Sequence, residues 1–276
     1  MNIDLHCHSN VSDGALPPAE VARRAASNGV EVWALTDHDE LGGLAEAREA
    51  ALAAGMRFVD GVEISVTWRG STIHVVGLRI DPGNEALAAG LVSVRGGRLE
   101  RAKRIARELE EAGIDGALEG ALRLAENPAL VGRTHFARFL AEAGEVADTR
   151  DAFRRFLVPG KPGYVAHQWA ALADAVRWIR GADGQAVLAH PGRYGLSAGS
   201  MDALLAEFRL AGGEAIEVVT GSHSPEQVRH FGAIATQQQF AASRGSDFHG
   251  WREGAEPGTL PGLDPALLPV WRDWAL

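Results

Sequence analysis

Short apolar runs with the character of buried β-strands recur along this chain, and most of them end close to a histidine or a carboxylate. The first run, residues 2–8, carries His6 and His8 two positions apart, so both imidazoles should leave the same face of a strand. Six of the ten histidines fall in or at the ends of such runs, which scattered surface histidines would not do. Because α/β folds place their sites at the carboxyl ends of strands, we expect these side chains to converge on a metal site.

Helical and strand patterns alternate along most of the chain, but the strand pattern is absent between about 84 and 165. That region has helical spacing and includes one long predicted helix over 91–112. We therefore predict a parallel α/β sheet or barrel formed by 1–83 and 166–276, with 84–165 as a helical insert. The predicted helices outside the insert cover 17–28, 41–54, 169–180, 201–211 and 225–236, and the predicted strands cover 2–8, 32–36, 58–64, 73–78, 186–190, 215–219 and 240–246.

Length and cysteine content limit the class of protein. A chain of 276 residues can form one large α/β domain, or one domain with an insert. No apolar stretch approaches the length needed to span a bilayer, and no signal peptide is evident. The single cysteine, Cys7, cannot form an internal disulfide and is expected to be a small buried apolar residue. These features predict a cytoplasmic protein.

The net charge of −9 argues against a protein that coats nucleic acid. The charge is uneven, because residues 90–165 contain 13 Lys and Arg against 11 Asp and Glu, whereas the remaining residues contain 14 against 25. Part of the acidic excess should be metal ligands, whose charge bound cations would neutralise. The predicted insert is therefore the more basic part of the chain, and it is where contacts to an anionic substrate are expected.

Six motifs together resemble the PHP (polymerase and histidinol phosphatase) family, and the resemblance covers nearly the whole chain. It implies a distorted (β/α)7 barrel with a helical insertion domain. Within the family, the chain looks most like the bacterial nucleoside 3′,5′-bisphosphate phosphatases, whose relatives also act as 5′-to-3′ exonucleases on short RNA. The motifs are His6-Cys7-His8, Thr36-Asp37-His38, Gly61-Val62-Glu63, the isolated His74, His190-Pro191 and Asp247-Phe248-His249.

The same resemblance implies a trinuclear metal centre with mixed nitrogen and oxygen ligands. Nine ligands are too many for one zinc and suit up to three divalent ions, with Mn²⁺ expected to support activity best and Fe²⁺ or Zn²⁺ as alternatives. Asp13, His38, Glu63, Asp247 and His249 are also expected to serve catalysis. The implied ligands are His6, His8, Glu63 and Asp247 for the first ion, Glu63, His74 and His190 for the second, and Asp13, His38 and His249 for the third.

Three residues near the predicted site have open roles at this stage. Asp37 and Asp39 flank His38 and could orient ligands or carry protons, or they could serve ordinary strand-end and turn chemistry. Glu217 lies in a predicted strand and could support a ligand, but we do not count it among the nine.

The stretch Gly132-Arg133-Thr134-His135 resembles the reader of the substrate's 5′-phosphate in this group. A guanidinium, a hydroxyl and an imidazole near a helix N-terminus would form an anion site. In the alternative interpretation, Thr134 only caps the helix and Arg133 is solvated. Further candidate contacts are Arg104 and Lys161 for phosphate, and Arg193, Ser222 and His223 for base or ribose; Arg104 shares a helix face with Arg101, and both could instead be solvated.

The expected activity is metal-dependent removal of the 3′-phosphate from a nucleoside 3′,5′-bisphosphate, giving the nucleoside 5′-monophosphate and phosphate. The same cut on a short 5′-phosphorylated oligonucleotide would make the enzyme a 5′-to-3′ exonuclease. Neither a membrane nor a stable protein partner is expected. The alternatives are a histidinol phosphate phosphatase and a non-catalytic PHP module that binds metal.

Overall fold

The structure is a computed structural model that describes residues 1–251, 253 and 255–275. Within these residues, seven strands form a nearly closed, barrel-shaped sheet in the order β1-β2-β3-β4-β6-β7-β8, and the short β5 pairs with β3. The predicted barrel is thus confirmed. The strands are β1 (Ile3–Asp4), β2 (Val32–Leu35), β3 (Arg57–Trp68), β4 (Ser71–Leu78), β5 (Ala170–Ala171), β6 (Gln185–Leu188), β7 (Ala215–Thr220) and β8 (Ala241–Gly245).

The prediction of a wholly parallel sheet is wrong at β4, which runs antiparallel to both β3 and β6. A two-residue turn causes this reversal. Arg69 and Gly70 both have positive φ, 46° and 81°, as a type I′ hairpin turn requires. The reversal places the start of β4 beside the end of β3, with His74 opposite Ser65.

The barrel closes between the segments that follow β1 and β8. Leu5 N–H donates to Arg244 O at 3.1 Å, and Asp247 N–H donates to His6 O at 2.8 Å. His8 N–H then donates to Phe248 O at 2.9 Å. The regular part of the first strand is shorter than predicted, but its extension as far as His8 is held by these bonds.

Helices surround the sheet, and five of them, α3 to α7, occur between β4 and β5. The single helix predicted over 91–112 is two helices, separated at Gly96 and Gly97. Among the described residues, no helix is both long and apolar enough to cross a membrane. The helices are α1 (Pro18–Ser27), α2 (Leu44–Ala53), α3 (Glu85–Arg95), α4 (Arg98–Glu111), α5 (Ala117–Leu124), α6 (Arg133–Glu142), α7 (Thr149–Ala152), α8 (Leu172–Gly181), α9 (Ala198–Ala211) and α10 (Pro225–Gln237).

Alternate residues of the strands pack into two different layers, as the period of a strand requires. In β2, Trp33 and Leu35 pack against the surrounding helices, whereas Val32 and Ala34 face the inside of the sheet. The inner layer also contains Val270 and Trp274 from the C-terminal segment.

The region from α4 to residue 165 has a hydrophobic cluster of its own, which includes Ile105, Leu109 and Phe136. Helix α3 differs, because its Leu87 and Leu91 belong to the core around the barrel. The predicted insert therefore includes one helix that packs with the barrel.

Candidate active site

The nine side chains predicted as metal ligands lie together at one end of the barrel. Glu63 and His74 occupy the alternate positions of β3 and β4 that face the inside of the sheet, like Val59 and Val76. Because β4 is antiparallel, its beginning lies at the edge where the parallel strands end. The other members follow strands: His6, His8 and Asp13 come after β1, His38 after β2, His190 after β6, and Asp247 and His249 after β8.

Glu63 lies at the centre of this cluster, and its side chain is 1% exposed. Its Oε1 is 3.0 Å from His74 Nδ1 and 3.0 Å from His190 Nε2. Its Oε2 is 3.0 Å from His38 Nδ1 and 3.3 Å from His8 Nε2. Burial alone would raise the pKa of this carboxyl, but the surrounding imidazoles hold it well below its ordinary value.

Asp13 and Asp247 extend the cluster on either side of His249. Asp13 Oδ1 lies 3.3 Å from His249 Nε2 and 4.0 Å from His38 Nε2. Asp247 Oδ1 lies 3.6 Å from His249 Nδ1 and 3.4 Å from His8 Nε2. The donor atoms of His8, Asp13, His38 and His249 all lie within 4.8 Å of one another.

Several buried nitrogen and oxygen atoms of the cluster have no hydrogen-bond partner within the described residues. They include His8 Nδ1, Asp13 Oδ1, Glu63 Oε2 and Asp247 Oδ1. Leaving a buried polar atom without a partner costs roughly 1–3 kcal/mol, so such a concentration is unusual for a purely structural cluster. Imidazole nitrogens and carboxylate oxygens that converge without hydrogen-bond geometry fit divalent cations. The side chains present are therefore compatible with a metal site.

Glu217 is a supporting residue that sequence reasoning left outside the ligand set. Its Oε1 accepts a hydrogen bond from His6 Nδ1 at 2.8 Å, and its Oε2 accepts one from the His190 N–H at 2.6 Å. The first bond leaves His6 Nε2 free to face the cluster. The position of Glu217, two residues into β7 on a barrel strand, was the only sequence signal for this role.

Asp37 and Asp39 both hold the backbone around the site. Asp37 accepts bonds from the Ser9 N–H at 2.8 Å and the Ser12 hydroxyl at 2.5 Å, and it thereby fixes the loop that leads to Asp13. Burial raises the pKa of Asp37 to about 6. Asp39 accepts from the Ser65 N–H and pairs with the Arg98 guanidinium, which connects β3 to α4.

Four arginines line the same cavity as the metal cluster, and three of them, Arg98, Arg101 and Arg133, come from the segment 84–165. Arg98 and Arg101 are 7% and 5% exposed, and their guanidinium carbons lie 4.7 and 5.2 Å from the Trp169 ring centre. Burial, together with the neighbouring guanidiniums, lowers the pKa of Arg101 to about 9.

Arg101 and Arg133 bond only to backbone carbonyls, those of Val165 and Leu157, in the described part of the chain. Neither has a carboxylate partner there. Guanidiniums that line a cavity without a carboxylate partner, as those of Arg101 and Arg133 do, are suited to bind an anion, and Arg98, which pairs with Asp39, lines the same cavity. We call Arg98, Arg101 and Arg133 the arginine group.

Some of the predicted substrate contacts do reach the cavity. Arg133 and Thr134 line it, and Thr134 Oγ1 donates to Asp13 Oδ2 at 2.8 Å. Thr134 is not the helix cap, because Gly132 occupies that position. Arg193 also lines the cavity and donates to Asp247 Oδ2 at 2.7 Å. Ser222 lines an adjoining cavity.

Other predicted contacts lie away from these cavity walls. His135 is buried, its Nδ1 accepts the Gly132 N–H at 3.1 Å, and burial lowers its pKa to about 4. His223 Nε2 accepts the N–H of Gly192 at 3.0 Å. Lys161 and Arg104 have exposed side chains, so on α4 the cavity receives Arg98 and Arg101 instead. The spacing of three residues between Arg98 and Arg101 placed both on one helix face. The sequence pattern did not reveal that this face is the buried one.

Comparison with known proteins agrees with this geometry. The model of the PHP domain matches residues 4–157. A 3′,5′-nucleoside bisphosphate phosphatase of Chromobacterium violaceum is 53% identical over 99% of this chain and 96% of the relative. The 5′-3′ exoribonuclease Rnm of Escherichia coli is 42% identical over 98% of this chain and 93% of the relative.

A solved structure from Bifidobacterium adolescentis, assigned as a metal-dependent phosphoesterase, superimposes with a TM-score of 0.80 at 28% identity. The match covers 97% of this chain and 92% of that one. The barrel, the cluster of histidines and carboxylates, the domain match and the relatives therefore agree, and this chain belongs to the PHP domain family.

Proposed function

We propose that this protein is a metal-dependent phosphoesterase that removes the 3′-phosphate from nucleoside 3′,5′-bisphosphates, giving the nucleoside 5′-monophosphate and phosphate. One observation carries the proposal: the metal-compatible cluster and the arginine group line one cavity. That cavity therefore offers two separate sites for anions, as a substrate with two phosphates needs. A histidinol phosphate phosphatase, whose substrate has one phosphate and a cationic amine, would leave the arginine group without a function. A non-catalytic module would need neither anion site.

Three ions could be held by the nine ligands in the groups implied by the family resemblance. Glu63 supports this because its two oxygens face different imidazoles, His74 and His190 on one side and His38 and His8 on the other. Bound divalent ions would lower the pKa of water toward neutrality and neutralise charge on the phosphoryl group. The donor set lacks sulfur, and we propose Mn²⁺, with Fe²⁺ or Zn²⁺ as alternatives.

The arginine group would bind the 5′-phosphate and fix the distance between the two ends of the substrate. Arg98 and Arg101 are already buried, and burial lowers the pKa of Arg133, so a phosphate dianion would bind this group in a low-dielectric site where charge-assisted hydrogen bonds are strong. Thr134 and Arg193 hold Asp13 and Asp247 in place, each by a hydrogen bond to one carboxylate. With the 5′-phosphate held, the 3′-phosphate would lie against the cluster.

The segment 84–165 would act as the substrate-binding cap, since all three members of the arginine group come from it. The same cut on a short 5′-phosphorylated oligonucleotide would release a 5′-mononucleotide, as the name of the Escherichia coli relative suggests. A cytoplasmic location agrees with the single, buried Cys7.

Product analysis tests this proposal directly. The Mn²⁺-loaded protein is incubated with adenosine 3′,5′-bisphosphate, and we expect phosphate and adenosine 5′-monophosphate. Release of adenosine 3′-monophosphate would reverse the proposed orientation of the substrate. Hydrolysis of histidinol phosphate without turnover of the bisphosphate would overturn the proposal. The Glu63→Gln variant, in which the central carboxylate is lost, should be inactive in the same assay.

A further inference from the structure

A second cavity of about 280 Å³ adjoins the metal cluster, and its wall includes Thr134, the neighbour of Arg133 in the chain. It contacts the cluster through Asp247 and His249, and its wall contains none of the three arginines. Phe153 and Arg193 line this cavity, the central one and a third cavity of about 300 Å³. These two side chains therefore lie where the three cavities meet.

The proposed function, on which this inference rests, gives the substrate a direction. With its 5′-phosphate on the arginine group and the scissile phosphate on the cluster, an oligonucleotide must continue beyond the cluster. The third cavity contains Arg133, so it lies on the side of the 5′-phosphate and suits the first nucleoside. We propose that the second cavity is a downstream subsite, which binds the nucleotide that follows the scissile phosphate of a single-stranded 5′-phosphorylated oligonucleotide.

The wall of this subsite has the chemistry that a nucleotide requires. The Phe153 ring offers an aromatic face, and Ser222 and Ser246 line the wall beside it. Arg150 lies on the same wall with an exposed side chain, and no hydrogen bond or ion pair of that side chain occurs within the described residues. Because the cavity holds about one nucleotide, Arg150 at its rim would meet the next phosphate.

The reaction at this subsite keeps its atoms in balance. Water adds to the scissile phosphorus, the bond to the 3′-oxygen of the first nucleoside breaks, and that oxygen takes a proton. The phosphate stays on the 5′-oxygen of the downstream nucleoside. The shortened product therefore again carries a 5′-phosphate and can be bound for the next cut.

The test compares three substrates of the Mn²⁺-loaded enzyme: adenosine 3′,5′-bisphosphate (pAp), the 5′-phosphorylated diadenylate (pApA) and the 5′-phosphorylated triadenylate (pApApA). Only pApApA has a phosphate beyond the downstream nucleoside. We expect Arg150→Ala to lower the initial kcat/KM for pApApA about tenfold, the factor that corresponds to 1.4 kcal/mol. The values for pAp and pApA should not change. Arg150→Glu should lower kcat/KM for pApApA further, and Arg150→Lys should retain part of the wild-type value. Arg154→Ala, an exposed neighbour that pairs with Asp151, is the matched control.

The salt dependence of kcat/KM gives a second measurement, which would not change if Arg150 had only a structural role. Loss of one phosphate contact should reduce the slope of log kcat/KM against log salt by about 0.7 for pApApA alone. An equal loss on pAp would mean that the cavity holds the first nucleoside, and no loss on any substrate would also overturn the subsite. Turnover of pAp without cleavage of pApA or pApApA would overturn the subsite but leave the proposed function standing. Cleavage of none of the three would overturn both.

Discussion

Glu217 holds two members of the metal-compatible cluster at once: its carboxylate accepts a hydrogen bond from the His6 ring at 2.8 Å and another from the His190 backbone N–H at 2.6 Å. All three residues are buried. The ring bond assigns the proton of His6 to Nδ1 and leaves Nε2 for the cluster. Carboxylates behind ligand histidines commonly set the orientation and basicity of the ring.

Glu217→Gln should weaken metal binding because an amide cannot accept both of these hydrogen bonds. We expect the affinity for Mn²⁺ to fall about 10–100-fold, as is usual for such supporting residues. Isothermal titration calorimetry, in which Mn²⁺ is added to the metal-free protein, measures this affinity. Glu214→Gln, a carboxyl near the start of the same strand that pairs with Arg180, serves as the control. An unchanged affinity in Glu217→Gln would show that the bond does not support the ligand.

Arg101→Ala should selectively impair substrates that carry a 5′-phosphate. Loss of one charge-assisted hydrogen bond of about 1.5–3 kcal/mol corresponds to a roughly 10- to 150-fold lower kcat/KM for adenosine 3′,5′-bisphosphate. Adenosine 3′-monophosphate, which lacks that phosphate, should lose little. Steady-state kinetics on both substrates gives the ratio. Arg104→Ala, with an exposed side chain one turn along α4, should change neither; a larger loss there would favour the contact predicted from sequence.

His135 should make stability depend on pH below neutrality. Its folded-state pKa is lowered to about 4 by burial, so between about 6.5 and 4 the unfolded chain binds a proton that the folded chain does not. Stability is therefore retained above pH 6.5 and lost as the pH falls, by about 2 kcal/mol between pH 7 and pH 5.

The variant His135→Gln isolates this contribution. A glutamine at this position can still accept the Gly132 N–H but cannot titrate. Denaturant unfolding at pH 7 and pH 5 gives the two free energies of unfolding for each protein. The drop with falling pH should be about 2 kcal/mol smaller in the variant; an identical drop in both proteins would contradict the assignment.

Gly245→Ala should disrupt the closure of the barrel. A Cβ there would lie 2.3 Å from His6 Cβ and 2.6 Å from His6 N, so β8 could no longer approach the first strand. We expect a loss of about 1–3 kcal/mol or more in the free energy of unfolding, together with weaker metal binding. Thermal melts of both variants measure this effect. Gly199→Ala, in α9, where an added Cβ would have open space, should instead be neutral or stabilising. Equal melting temperatures for wild type and Gly245→Ala would exclude this role.

The residue pattern by itself determined an α/β sheet or barrel and the convergence of the nine cluster residues, because most of them lie at or near the end of an apolar run. The motifs, through their resemblance to the PHP family, implied the closed barrel and the family. The position of a residue relative to its own strand is a local property, so it can be read from the sequence. Strand ends of one sheet must meet at a common edge, so spacing alone identifies residues that will meet. The basic character of residues 90–165 likewise indicated where an anion site would come from.

Only the tertiary structure decided which face of each helix turns inward and which partner each polar group finds. Arg98 and Arg101 rather than Arg104 face the cavity because α4 packs its inner side against Trp169, a residue far away in sequence. His135 became a buried cap and Glu217 became the support of His6 for the same reason. The reversal of β4 depended on a two-residue turn at Arg69-Gly70. Apart from this local turn, these outcomes depend on contacts between distant segments, which the local pattern of residues does not encode.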